Sequence, residues 1–342
     1  MFRAGVVRKM DLLLVVLMKS IENEAESDEK RTDFRVLVFL RGVLLSQRMR
    51  FSGYEIVPTD ITIDSDDQLS AVNTVLRMMH QDEEPVTFSE EDRKMMRSSH
   101  PVSIVDVKSV LATSKEEARD RCIRFAESVL LTLTLLRDVG GVIFHVVVID
   151  KSARAKTNWG FPEPYRGILN TGPLAGESSA SFQKYIGAVS SDPLNEFLVG
   201  LYKQAVMERH DDFKFVRYWQ ILEVTADLRN YDPKEALKDH DGEILNDSKG
   251  KPRKCKGGLE IVYALLRDEG VGNTGQTWAN ANIWYALRCA VGHYGAVDRW
   301  HQLSNPETRE WGRKGAENRG DSLMLLRSIV RSVLTQKLSR VV

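Results

Sequence analysis

The chain has 342 residues, room for two ordinary domains at ~150 residues each. Apolar residues make up 42% and charged residues 28%, the proportions of a folded chain and not of a disordered one. Basic and acidic residues balance at 48 each, which excludes a uniformly basic nucleic-acid coat but leaves room for a local basic groove.

Cys122, Cys255 and Cys289 are widely spaced and form no CxxC. That pattern points to a reducing compartment, with neither a disulfide framework nor a structural zinc site. The seven histidines show no HExxH or paired-ligand spacing, so no dedicated metal and no cofactor is expected.

At the N-terminus Arg3, Arg8 and Lys9 precede an apolar run, Leu12 to Met18. Asp11 interrupts the approach to it, the run is short, and no small-x-small cleavage site precedes the acidic stretch from Glu22 to Glu29. It reads as a buried strand or short helix in preference to a signal peptide. No other stretch approaches the ~20 apolar residues of a bilayer span. The expectation is a cytoplasmic protein with no membrane partner.

Phe34 to Leu45 is rich in Val, Leu and Phe, and Arg48 to Ile63 follows with Ser52-Gly53 as a turn signal, so paired strands are expected. Leu69, Val72, Val75, Leu76 and Met79 predict a helix over 66–80, and Val102 to Val110 is strand-like. A helix from Ser114 to about Asp138 has a capping-box start, Ser114 with Glu117, and Gly140-Gly141 as its stop. Val142 to Ile149 then reads as a buried strand, with His145 as a core histidine. Residues 1–160 are therefore predicted to form an α+β domain. We find no internal repeat.

From Lys151 to Pro173 the texture turns to Pro, Gly, Asn and aromatics, an irregular connection. Beyond it Asp192-Pro193 opens a helix, Phe213 to Leu228 supplies a second, and Gly258–Asp268, Thr277–Val291 and Asp321–Leu334 three more. Gly270 to Gly275 lacks the strand and the Gly-Lys-Ser/Thr ending of a phosphate loop and reads as a turn. Residues 161–342 are thus predicted to be an all-α bundle of five helices.

The fourth of these helices ends in YALRCAVGHYG, residues 285–295, where Arg288 and His293 are separated by four residues and followed by glycine. A second such spacing, Arg93 to His100, lies in a polar pre-proline segment with no apolar helix beneath it. The Tyr285–Gly295 segment resembles the R-x(4–6)-H signature of the HEPN superfamily of RNA-cutting and RNA-binding proteins. The order of helices from Ser191 onward is similar to that of a common bacterial subfamily. Cys289 stands where that family usually carries a polar residue, and Tyr294 lies one position nearer the histidine than in a tyrosine-modified subgroup.

The resemblance implies an HEPN-like helical bundle and metal-independent endoribonuclease activity on RNA, toxin-like in phage defence or stress. It also implies a homodimer that brings two Arg288–His293 pairs to one cleft. An inhibitory protein partner and a sensor role for residues 1–160 follow by analogy. RNA carries its own nucleophile, the 2′-hydroxyl. Histidine suits the proton transfers and arginine the non-bridging phosphate oxygens. Residues five apart do not share a helical stripe, so the pair converges only if His293 lies past the last turn. The competing reading has Arg288 ion-paired with Glu223 or Asp227 and His293 closing the helix by a local hydrogen bond. The corresponding alternative function is a non-catalytic module that binds RNA or protein.

Two basic segments complete the candidates. Lys249, Lys251, Arg253, Lys254 and Lys256 form a compact run read as a mobile loop suited to phosphate backbone, or simply as a solvated loop. Arg313 and Lys314 lie among Trp300 and Trp311, as in single-strand binders, although tryptophans packed under a long loop are the preferred reading of that composition.

Overall fold

The computed structural model describes residues 31–43, 49–51, 53–58, 102–138, 140–153, 155–160 and 179–340. The apolar run from Leu12, the helix expected over 66–80 and the Arg93–His100 spacing lie outside them. In chain order come strands β1 (Thr32–Arg41), β2 (Met49–Phe51), β3 (Tyr54–Pro58) and β4 (Val102–Ala112), helix α1 (Lys115–Arg137), then β5 (Val142–Asp150) and β6 (Ala155–Gly160). Helices follow: α2 (Ser179–Ser190), α3 (Pro193–Met207), α4 (Asp211–Asp227), α5 (Gly258–Asp268), α6 (Thr274–Tyr294), a 3-10 turn (Val297–Gln302), α7 (Pro306–Glu317) and α8 (Arg319–Ser339). An α+β region thus precedes a helical one.

The strands form one antiparallel sheet in the order β2-β3-β4-β1-β5-β6. Central β1 is buried along nearly its whole length, which is why it reads as a continuous apolar run and not as an alternation. Its even positions Val36, Val38 and Leu40 pack with Val105, Val146 and Val148 against Ala126, Val129 and Leu133 of α1. On the opposite face Leu37, Phe39 and Ile104 are also buried, and Arg35 bonds Asp106 there through two nitrogens at 2.8 and 2.6 Å. Strand β6 falls within the stretch read as irregular.

Ser114 caps α1 as expected, its hydroxyl accepting from the Glu117 N–H at 3.1 Å. The other half of the capping box differs. Glu117 accepts from the Thr113 N–H and hydroxyl, at 2.7 and 2.6 Å, and not from Ser114. These two bonds hold the Glu117 carboxyl below the usual carboxylate range. The helix ends at Asp138, a left-handed residue (φ 55°), before the glycines are reached.

Beyond α1, Leu131 and Leu135 join a larger core of Tyr202, Tyr218, Trp219, Tyr263, Trp284 and Leu326 from the helices. Asp138 is its polar anchor: the Tyr202 hydroxyl donates to it, and Arg327 and Arg331 each lie 3.2 Å away. The helical region holds two α-helices beyond the five expected. One is α2, and the other is α7, which replaces the long loop expected around Trp311.

Between α4 and α5 the structure corrects both the mobile-loop expectation and the absence of a repeat. Leu237–Ile244 and Leu245–Pro252 are two copies of one eight-residue unit, Leu-x-Asp-x-x-Gly. The Asp239 side chain accepts from the N–H of Asp241 and Glu243, both at 2.9 Å, and Asp247 accepts likewise from Lys249 and Lys251 at 2.8 and 2.9 Å. Gly242 (φ 87°) and Gly250 (φ 75°) take the left-handed conformation that closes each turn. The units join in a ring: Leu245 N–H donates to Leu237 O, Arg253 N–H to Leu245 O and Leu237 N–H to Arg253 O, each at 2.8 Å.

Removing the Asp138 carboxylate leaves one tyrosine hydroxyl and two guanidinium groups facing an apolar neighbour. Asp138→Ala is expected to lower the unfolding free energy by about 2 kcal/mol. Urea titration checks this, and a midpoint equal to wild type would deny the anchor. Because the turns match bond for bond, Gly242→Ala and Gly250→Ala should each cost about 1 kcal/mol. Thermal melts showing a loss in only one of them would contradict the equivalence.

Candidate functional site

Helix α6 carries the Arg288–His293 pair. Its start is fixed by the Asn273 side chain, which accepts from Gln276 N–H at 3.0 Å, after a turn in which Gly270 and Gly272 have positive φ. Its end is fixed by Gly295 (φ 83°), whose N–H donates to Val291 O at 2.8 Å. One side of the helix packs Ala281, Trp284, Leu287 and Val291 into the main core. Another packs Ala286, Cys289 and Ala290 against Leu303, with Trp300 and Trp311 half-buried over them. Both tryptophans therefore pack down, beneath a 3-10 turn and a helix, and are not an open stacking platform.

Cys289 is among the residues pinned there, with only 7% of its surface exposed. All three cysteines are free and buried. Burial pushes the Cys122 thiol up to about 12. Cys289 adjoins the Tyr285 hydroxyl, which burial foremost, then this thiol, pushes up.

Arg288 is half-buried on the side facing α4, and its Nη2 stands 3.7 Å from Glu223 Oε2. Of the two acidic partners considered from the sequence, Glu223 is thus the one that meets it. His293 is exposed and its side chain makes no hydrogen bond among the described residues; its ring stands edge-on to Tyr294, centroids 6.2 Å apart. It lies inside the last turn and not beyond it, because Gly292 stays helical and Gly295 makes the cap. Five helical residues separate two side chains by about 140° around the axis and about 7.5 Å along it. Within one chain the pair therefore does not converge, and His293 is not the capping residue.

The basic candidates divide. Lys249, Lys251, Lys254 and Lys256 are exposed and have no ion pair among the described residues. They flank the second turn of the repeat and run directly into the first turn of α5. Arg253 is withdrawn from this group. Its guanidinium lies 4.7 Å over the Trp278 ring, 3.5 Å from Glu260 and 3.7 Å from Glu307. Arg313 is paired with Glu310 at 2.7 Å and Glu317 at 2.5 Å, and both carboxylates raise its pKa. Lys314 lies 4.5 Å over Trp311 and 4.0 Å from Glu310. Those acidic partners stand three and four residues away on α7, a helix that the sequence did not predict. Arg313 and Lys314 thus share no partner with Arg288 among the described residues.

Two clefts lie away from this pair. One of 410 Å³ is lined by Tyr231, Asp239, His240, Arg267 and Asp268, and one of 580 Å³ by Asp138, Met324, Arg327 and Arg331. Among the described residues no cluster of His, Cys, Asp and Glu is placed to hold a metal ion, and no helix is long and apolar enough to cross a membrane. No protein-family model, no curated protein and no solved structure matches this chain.

The division of the basic run has a measurable consequence. Arg253→Ala loses a ring contact and two ion pairs and should cost about 1–2 kcal/mol of stability. Replacing Lys249, Lys251, Lys254 and Lys256 together by Ala should shift stability by no more than about 0.5 kcal/mol. Chemical denaturation of both variants checks this, and the reverse ranking would place Arg253 among the free cations.

Proposed function

We propose that this chain is a metal-independent endoribonuclease of HEPN type, acting on RNA as a homodimer. The observation that carries this reading is the exposed His293 at the free end of α6, one and a half turns from an Arg288 held by a single long ion pair. Arg288 is charged at every physiological pH and suits the phosphate oxygens on which charge gathers during cleavage. His293, with its ring unengaged by any hydrogen bond among the described residues, suits proton transfer from the 2′-hydroxyl or to the departing 5′ oxygen. The angular separation of the two makes a second copy part of the proposal: a cleft between two chains gathers two arginines and two histidines from opposite sides. The four exposed lysines before α5 supply backbone contacts to RNA.

A toxin-like role in the cytoplasm, in phage defence or stress, accompanies this reading, with the sheet region as sensor or as the seat of an inhibitory protein partner. A second reading, a non-catalytic module that binds RNA or protein, is favoured by one observation. Cys289 is buried beneath Trp300 and Trp311, so the residue that directly follows Arg288 offers the site no polar group.

Labelled total RNA incubated in EDTA with wild type and His293→Ala, matched for dimer content by light scattering, separates the two. Cutting by wild type that falls at least ~100-fold in the variant is expected. Binding without cutting by either protein selects the second reading, and equal cutting by both displaces the site from His293.

A further inference from the structure

The following rests on the RNA-binding part of the reading above and concerns the partner of Arg288. Glu223 projects from α4 into the space between α5 and α6. Its Oε2 faces Arg288, while a Cβ on Gly258, the first residue of α5, would stand only 2.6 Å from its Oε1. A glycine at that position is what lets the carboxylate stand so close. Gly257, which precedes it as the N-cap, brings no capping side chain. The carboxylate therefore lies between a guanidinium and a helix start whose free N–H groups carry partial positive charge. Exposed Lys254 and Lys256 lie just upstream in the chain. Glu260, whose carboxylate also stands at this helix start, is engaged by Arg253, so Glu223 is the anionic group that faces Arg288 there and occupies the ground that an RNA phosphate would take.

Two kinds of carboxylate–arginine contact occur in this protein, and the contrast decides what Glu223 does. Glu269 has 2% of its side chain exposed and is gripped by Arg229 and by two nitrogens of Arg340, at 3.0 and 2.8 Å. That is a clamp, with charge-assisted bonds to both oxygens. Glu223 makes one contact at 3.7 Å, with side chains 26% and 35% exposed. Pairs of that kind are worth ~0–1 kcal/mol, less than the bidentate bond an arginine forms with phosphate. A contact so easily exchanged does little to position Arg288, and its negative charge opposes an incoming phosphate.

We propose that Glu223 is an internal phosphate mimic, which occupies the charge of Arg288 in the RNA-free protein and is displaced by the RNA backbone. It thereby sets the affinity threshold at which RNA engages the arginine. The exchange is purely ionic: Arg288 gives up a carboxylate and takes a phosphate oxygen, and Glu223 turns to water.

The test is fluorescence anisotropy of a fluorescein-labelled, 2′-O-methylated single-stranded RNA, which lacks the 2′-hydroxyl nucleophile and stays uncut, in moderate salt with the full-length protein. Glu223→Gln keeps the shape beside Gly258 and removes the charge, and should tighten binding by about fivefold. Glu223→Asp, which draws the carboxylate back by one methylene, should give a smaller gain and guards against a folding defect in the first variant. Asp227→Asn, an exposed residue one turn on that does not meet Arg288, removes the same charge and should change affinity less than about twofold. Adding Arg288→Gln to Glu223→Gln should abolish the gain. Unchanged or weaker binding by both Glu223 variants overturns the proposal and leaves the RNA reading standing, as does an equal gain in Asp227→Asn. Absence of binding by every protein, wild type included, overturns both.

Discussion

Residues Ser128 to Leu136 of α1 are all buried, because one side of the helix lies on the sheet and the other against α3 and its neighbours. Such a segment must be apolar all round or satisfy its polar groups internally. Its three hydroxyls follow the second course: Ser128, Thr132 and Thr134 donate to the carbonyls of Arg124, Ser128 and Leu130, four residues back. Neither core is complete without this helix. The α+β region and the helical region consequently share one structural member, and Asp138 at its end fixes where α3 and α8 sit against it.

Much of this was legible in the chain. The Ser114 start of α1, the Asp192-Pro193 opening of α3 and the apolar spacing of α4 and α5 rest on local chemistry that needs no tertiary partner. Helix α7 was not legible, because PETREWGRKGAE is mostly polar and contains two glycines, and its place is set by close packing of Gly315 on α6 and of Gly312 on Trp300 and Leu303. Strand β6 exists by pairing with β5 and not by its own composition. The eight-residue repeat was missed because only Leu, Asp and Gly recur in it, and the ring that unites the copies is built from backbone groups, which every sequence possesses.

For the site, the decisive ambiguity was which glycine would end α6. Gly292 and Gly295 both offered a left-handed cap, and the choice between them fixes the side to which His293 points. Backbone energetics alone does not distinguish two glycines three residues apart; the burial of Val291 and the bond from Gly295 N–H do. Arg253 shows the converse case. In sequence it belongs to the lysine run, yet an aromatic face 25 residues away, Trp278, makes it part of the interior framework.

The ring of Leu237, Leu245 and Arg253 also bears on the order of folding. Its successive members stand eight residues apart and its closing bond spans 16, whereas the central strands β1 and β4 pair across 61 to 80 residues. Closing loops of about ten residues takes ~10–100 ns and little chain entropy, whereas distant strand pairing waits on diffusion of long segments. The ring is thus suited to close first and to act as a splint, delivering the start of α5 to the end of α4 before the rest of the bundle gathers around them.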